Sequence, residues 1–216
     1  MSRAAWHVVV PVKPAEFGKS RLAVDGVDRT ALARAIALDT LEATARASHV
    51  AEVIVVTADE ALHAELGGWG ERVEAAIRTG RARVRLVRES APAGLDAAIR
   101  AGLASVPLDR PRAVLLGDLP ALRPTDLDAA LVHASALDLG LVPDAEGTGT
   151  TLVTARASVP LSPAFGPGSA ARHRTAGHVD LAVDAASTLR RDVDTAAQLH
   201  AALALGAGRR TAALLG

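Results

Sequence analysis

Short apolar runs recur along this chain, each closed by a turn signal and followed by a stretch with helical spacing. Trp6-His-Val-Val-Val-Pro-Val12 is apolar on both faces, as a strand inside a parallel sheet must be. Asp28 then stands where it can cap a helix running to about Ala47, with Leu32, Ile36 and Leu41 on its inner face. Glu52–Thr57 reads as a second strand, and a more broken helical stretch runs from Asp59 to Arg78, interrupted at Gly67-Gly68. Ala82–Val87 alternates, which predicts a strand nearer an edge. Ala91-Pro-Ala-Gly-Leu-Asp96 opens a helix that ends near Ser105.

The second half repeats the rhythm. Ala113-Val-Leu-Leu116 is a buried central strand that stops abruptly at Gly117-Asp118, and Thr125-Asp-Leu-Asp-Ala-Ala-Leu predicts a well-capped helix. Leu139–Val142 gives a fifth strand, and the loop Glu146-Gly-Thr-Gly-Thr-Thr-Leu-Val153 runs into another. Beyond about Gly206 the pattern predicts a loose chain end. Strands alternating with helices predict one α/β domain over residues 1–216, with a mainly parallel central sheet and helices on both faces. There is no internal repeat, linker or low-complexity segment.

Composition narrows the chemistry. Half the residues are apolar, but only Trp6, Trp69, Phe17 and Phe165 are aromatic, so the core must be Val, Leu, Ile and Ala. Cysteine is absent, which excludes disulfides and thiolate metal sites. No apolar run approaches the ~20 residues of a membrane span, and Val8–Val12 is too short for a signal peptide. A soluble cytoplasmic protein is expected. Acidic and basic side chains balance at 24 each, and the Arg pairs form no basic stripe, which argues against a nucleic-acid or membrane partner. The basic set is itself lopsided, with Arg throughout and only Lys13 and Lys19 as lysines, the habit of a GC-rich genome.

Both lysines fall in the loop Lys13-Pro-Ala-Glu-Phe-Gly-Lys-Ser-Arg-Leu22, immediately after the first strand. In a nucleotide-binding α/β domain that is where phosphates lie. The loop fits neither the Walker pattern nor Gly-x-Gly-x-x-Gly, so an ordinary solvated loop stands as the alternative. Asp118, at the end of a central strand, suits a divalent cation and a nucleotide phosphate; the alternative is a turn residue capping the next helix. Asp144 is a second strand-end acid. Asp192 and Asp194, at i and i+2, point the same way if extended and suit Mg²⁺; the alternative is a cap for a helix over Thr195–Leu205. The small-residue loops at Gly147–Thr151 and Phe165-Gly-Pro-Gly-Ser169 expose backbone amides and hydroxyls that can cradle an anion. Gly94 sits at a turn that brings backbone amides near a purine base or simply starts a helix. Arg172 and His173 lie one turn inside the helix that Ser169 opens.

Taken in order, Pro11-Val-Lys-Pro, Lys19-Ser-Arg-Leu, Gly94-Leu-Asp, Gly117-Asp-Leu-Pro, Pro143-Asp, Gly147-Thr-Gly-Thr-Thr, Phe165-Gly-Pro-Gly-Ser and Arg191-Asp-Val-Asp-Thr resemble the guanylyltransferases of coenzyme F-420 biosynthesis. The resemblance runs from about residue 6 to 200. It implies a three-layer nucleotidyltransferase-like fold with a mixed, mainly parallel sheet. It implies a nucleotidyltransferase in which the phosphate of a three-carbon acid attacks the α-phosphorus of GTP and pyrophosphate leaves. By the same resemblance, Asp118, Asp192 and Asp194 would hold Mg²⁺, and Thr151, Gly166 and Ser169 would grip the acid. Lys13, Lys19 and Arg21 would act on the GTP phosphates, with Ala93, Gly94 and Gly117 beside the nucleotide. Phosphoenolpyruvate is the expected acceptor, because the Arg- and Ala-rich composition is similar to that of the family members associated with it. 2-Phospho-L-lactate and 3-phosphoglycerate are the alternatives. The product would pass to a downstream deazaflavin transferase. A GTP-binding regulatory module without turnover is the reading from another class.

Overall fold

The computed structural model describes residues 6–16, 22–67, 82–89 and 94–216. The order of elements is β1 (Trp6–Pro11), α1 (Arg29–Arg46), β2 (Val50–Thr57), α2 (Glu60–Gly67), β3 (Arg83–Arg88), α3 (Leu95–Ala104), β4 (Arg112–Leu115) and α4 (Pro124–Ala134). Then follow β5 (Leu139–Pro143), β6 (Thr150–Ala155), α5 (Ser169–Thr175), β7 (Val179–Asp180), a 3-10 turn at Thr188–Arg190, α6 (Ala196–Ala204) and α7 (Arg209–Leu215). The strands form one seven-stranded sheet in the order β3-β2-β1-β4-β6-β5-β7. β1 pairs in parallel with both β2 and β4, and β2 with β3. Among the described strands, only β6 runs against its neighbours, β4 and β5. This is the mixed, mainly parallel sheet the alternation predicts, with β3 at its edge.

Side chains along the central strands alternate between two cores. Val8, Val10, Val53, Val55, Ala113 and Leu115 pack under α1 and α4 with Leu38, Leu41, Leu127 and Leu131. Val9, Ile54, Val56 and Val114 pack on the opposite face with Ile99, Leu103 and Phe165. Gly102 lets α3 lie against that face, because a Cβ there would sit 2.9 Å from a methyl of Val56. No described helix is long and apolar enough to cross a membrane.

Capping follows the sequence in part. The Asp28 carboxylate accepts from the amides of Thr30 and Ala31 and starts α1. At α4 the expected polar cap is missing. Arg123 holds that position without a side-chain hydrogen bond, and Pro124 follows, whose absent N–H removes one donor that would need a cap. Asp126, in the first turn, serves a tertiary contact instead. Among the described helices, neither Asp118 nor Asp194 is the capping residue: α6 is capped by Thr195 in a reciprocal pair with Gln198. The chain end is not loose either. α7 docks on α1, where the Asp39 carboxylate accepts from the amides of Arg210 at 3.2 Å and Thr211 at 2.8 Å. The partner of those amides lies about 170 residues earlier in the chain, so local composition could not announce it.

Candidate active site

The strand order turns back beside β1: the chain lays down β1, β2 and β3 in one direction, then places β4 on the other flank. Ligands in open α/β sheets bind beyond the carboxyl ends of the strands at such a point. Lys13 follows β1 and Gly117-Asp118 follow β4. Because β6 is antiparallel and β5 is not, the end of β5 at Asp144 and the start of β6 at Thr150 meet at the same edge. A cleft of about 560 Å³ opens there, lined by Lys13, Gly117, Asp118, Asp144, Thr148–Thr150, Phe165–Ser169, Asp192 and Asp194, among others. Its size suits a nucleotide-sized ligand.

Four carboxylates face one another in this cleft. Asp192 and Asp194 flank Val193, whose side chain is fully buried, so the pair turns away from the core together. The amide of Val193 donates to the carbonyl of Asp118 at 3.0 Å, which ties the two acid-bearing segments side by side. Burial first, then the charges of Asp118, Asp144 and Asp194, push the Asp192 carboxyl up to about 7. Its Oδ1 is buried and has no hydrogen-bond partner among the described residues. A carboxylate oxygen in that state fits a cation. One oxygen from each of Asp144, Glu146 and Asp192 lies within 4.8 Å of the others. Asp144 and Glu146 thus join the acids expected from sequence, and Asp192 belongs to both sets.

The small-residue loop is built around Asp144. Its carboxylate accepts from the amides of Thr148 at 2.9 Å and Gly149 at 2.7 Å. A side chain at Gly149 would collide with that carboxylate. The Arg190 guanidinium donates to the Asp144 carbonyl at 2.8 Å and braces the loop from behind. The loop of residues 164–168 is held in a similar way. Arg172 donates from Nε and Nη2 to the Ala164 carbonyl, from Nη2 to Phe165 and from Nη1 to Pro167. Gly166 and Gly168, at φ of 108° and 70°, hold backbone that side-chain-bearing residues rarely adopt.

The sequence-predicted residues distribute unevenly. Lys13, Gly117, Asp118, Gly166, Ser169, Asp192 and Asp194 line the cleft. Gly94 lines a small recess that adjoins it at Pro11, Val12 and Lys13. Lys19, Arg21 and Ala93 lie outside the described residues. Thr151 does not reach the cleft: it is fully buried, and its hydroxyl donates to the Leu189 carbonyl at 2.7 Å. Thr150 lines the cleft in its place. The cause is a shift in register, since Val142 pairs with Leu152 but Pro143 pairs with Thr150, which leaves Thr151 as the extra residue. Asp59, not singled out from sequence, anchors the loop that carries Lys13 by accepting from the Ala15 amide at 3.1 Å. Burial alone would raise the Asp59 carboxyl. Amide hydrogen bonds from Leu62 and Ala15 and the charge of Arg34 outweigh it and hold the carboxyl below its ordinary range.

A profile of the family described as "Guanylyl transferase CofC like" matches residues 6–215. The chain belongs to this family. It is 47% identical over 213 residues to the phosphoenolpyruvate guanylyltransferase of Thermomonospora curvata, covering 97% of this chain and 88% of that one. It is 44% identical to the enzyme of the same name from Streptomyces coelicolor, covering 97% and 95%. Among solved structures, a nucleotidyl transferase from Methanothermobacter thermautotroptrophicus superposes with a TM-score of 0.53 at 18% identity, covering 93% of this chain and 97% of that one. Rv0371C of Mycobacterium tuberculosis in complex with manganese gives 0.53 at 22%, covering 93% and 99%. These last two establish the nucleotidyltransferase fold. In this chain a nucleotidyltransferase sheet carries a carboxylate-lined cleft.

Proposed function

We propose that this chain is a phosphoenolpyruvate guanylyltransferase, condensing GTP with phosphoenolpyruvate to give enolpyruvoyl-2-diphospho-5'-guanosine and pyrophosphate. The observation that carries this reading is the cleft itself, with a lysine-bearing loop on one side, amide-rich loops on another and clustered carboxylates between them. Two anionic substrates have to meet there. A phosphate oxygen of the acid attacks the α-phosphorus of GTP, the new P–O bond forms, and the bond to the departing pyrophosphate breaks. No covalent enzyme intermediate is required, so the protein's contribution is positioning and charge neutralisation. Lys13 presents a compact positive charge to the nucleotide phosphates. Ser169 and the backbone about Gly166 grip the acid. Asp118, Asp192 and Asp194, with Asp144 beside them, are the residues that would hold Mg²⁺. That ion, when bound, would supply neutralisation of phosphate charge.

The whole chain acts as one domain in this reading, in the cytoplasm, at a step of coenzyme F-420 biosynthesis whose labile product a deazaflavin transferase consumes. The deciding experiment supplies GTP and Mg²⁺ with phosphoenolpyruvate, 2-phospho-L-lactate or 3-phosphoglycerate separately, traps the product with that transferase and identifies it by mass. A preference for phosphoenolpyruvate is expected. A clear preference for phospholactate overturns the choice of acceptor, and GTP binding without product from any acid favours a regulatory module.

A further inference from the structure

His173 is completely buried beneath the cleft floor, in a place where sequence gives it no role. Its ring nitrogens have fixed partners. The Ala164 amide donates to Nε2 at 2.9 Å, and Nδ1 lies 3.0 Å from the Thr150 hydroxyl. The Ser169 hydroxyl lies 3.1 Å from the same Thr150 oxygen. Thr150 and Ser169 both line the cleft, at 3% and 1% exposure.

Counting protons along this chain gives a definite result. A backbone N–H can only donate, so Nε2 must be the bare nitrogen. In a neutral ring Nδ1 then carries the hydrogen and donates to Thr150. The ring is neutral at working pH because burial, then His178 and Arg172, lower it to about 4. With Thr150 accepting from the ring, one hydroxyl proton closes the Thr150–Ser169 contact and the other is left over. In the opposite tautomer Thr150 would donate to the ring and Ser169 to Thr150, and neither proton would be free. The Ala164 amide is itself immobilised, because Arg172 holds the Ala164 carbonyl at 2.9 Å and the neighbouring carbonyls of Phe165 and Pro167. The Phe165 ring packs edge-on to the imidazole with centroids 5.3 Å apart.

We propose that His173 is a positioning residue that, locked with its hydrogen on Nδ1 by the Ala164 amide, turns the Thr150–Ser169 hydroxyl pair into a hydrogen-bond donor for an oxyanion of the acceptor acid. This rests on the acceptor lying at Ser169, as in the function proposed above. It makes Thr150, rather than Thr151, the threonine that meets the acid, and it favours an acceptor oxygen on the ligand over a donor there.

The test has two arms. Nitrogen-15 spectra of histidine-labelled protein read the tautomer directly. Hydrogen on Nδ1 of His173 is expected, and hydrogen on Nε2 overturns the proposal. In kinetics, His173→Phe should raise KM for phosphoenolpyruvate about 10-fold or more while leaving KM for GTP unchanged. His173→Asn, whose amide can stand in for the Nδ1 donor, should recover most of that loss. Adding Thr150→Val to His173→Phe should cost little more. Should His173→Phe not fold, His173→Asn compared with Thr150→Val in the wild-type background carries the same contrast. Inhibition by inorganic phosphate or by pyruvate, weakened selectively in Ser169→Ala, tells which oxyanion accepts the hydrogen bond. Equal effects on both substrates, or loss of melting temperature alone, overturn the relay in an active enzyme. Wild-type protein that makes no product with any acid overturns the functional reading instead.

Discussion

Val193 donates its amide to the carbonyl of Asp118 at 3.0 Å, so residues 75 positions apart in sequence share one strand-like contact at the cleft. The contact fixes the spacing of Asp118 from Asp192 and Asp194 without using any of their side chains. Replacing Asp118, Asp192 or Asp194 by Ala should therefore leave the backbone arrangement intact. Each loss is expected to lower turnover by about 100-fold or more, the usual effect of removing an electrostatic anchor. Steady-state pyrophosphate release measures it.

Asp192 should also separate activity from stability. Its carboxyl is crowded by burial and by three like-charged neighbours. Asp192→Asn keeps the shape and removes the conflict. In chelator, the Asn variant is expected to melt higher than wild type, and with Mg²⁺ supplied its turnover should collapse where that of wild type does not. A lower melting temperature would mean that the carboxylate is needed for folding rather than for a ligand.

The segment that carries these acids is held from outside the cleft. The Asp126 carboxylate accepts from the Thr188 amide at 2.7 Å, the Thr188 hydroxyl at 2.7 Å and the Ser187 hydroxyl at 3.1 Å. Asp126→Ala strands those donors, at a cost of about 1–3 kcal/mol for each one left buried and unpaired. The melting temperature should fall by several degrees. Activity should fall more than tenfold although Asp126 does not line the cleft, with KM for both substrates affected. Unchanged kinetics at permissive temperature would show that the segment keeps its place without this anchor.

Much of this architecture is legible in the chain. Four apolar residues ending in Gly117-Asp118 announce a central strand and an acid at its end, because a strand buried on both faces has no polar positions to spare. The spacing of Asp192 and Asp194 around a buried valine is legible for the same reason of period. What escaped is whatever depends on one residue of register or on distant partners. Thr150 and Thr151 are chemically identical neighbours, and only the irregular pairing of β5 with β6 decides which faces the cleft. Asp59 reads as an ordinary helix start until its contact with Ala15 is seen. Asp39 sits in a helix as an unremarkable acid, yet it is 6% exposed and caps the last helix of the fold.

That last contact carries a prediction of its own. α7 is only seven residues long, too short to persist alone in water. Asp39→Ala removes the acceptor of its Arg210 and Thr211 amides. Faster hydrogen exchange confined to about residues 206–216 is expected, with a loss of about 2 kcal/mol or more in stability. Uniform exchange protection in the variant would assign the docking of α7 to its apolar contacts instead.

The buried histidines set a pH window of their own. His173 is lowered from 6.5 to about 4, by burial and then by His178 and Arg172. His178 is lowered as well, by burial, against a hydrogen bond from its ring to the His173 carbonyl that raises it. Between about 4 and 6.5 the unfolded chain binds at His173 a proton that the folded chain refuses, and His178 acts in the same direction. The histidines' contribution to stability therefore rises with pH across the window, and it is lost as pH falls from about 6.5 towards 4. For His173 alone the full difference is on the order of 3 kcal/mol at most. The lowered carboxyls, such as Asp128 and Asp59, titrate below their ordinary value of 3.8, so their contribution is lost at more acid pH. The Asp192 carboxyl, raised to about 7, works across the same window with the opposite sign, because the folded chain there holds a proton that the unfolded chain has released, so the histidine slope is read in an Asp192→Asn background. Denaturant unfolding of the Asp192→Asn protein at a series of pH values should show a slope between pH 4 and 6.5 that adding His173→Asn reduces. A slope in the double variant equal to that of Asp192→Asn alone would place the proton uptake on other groups.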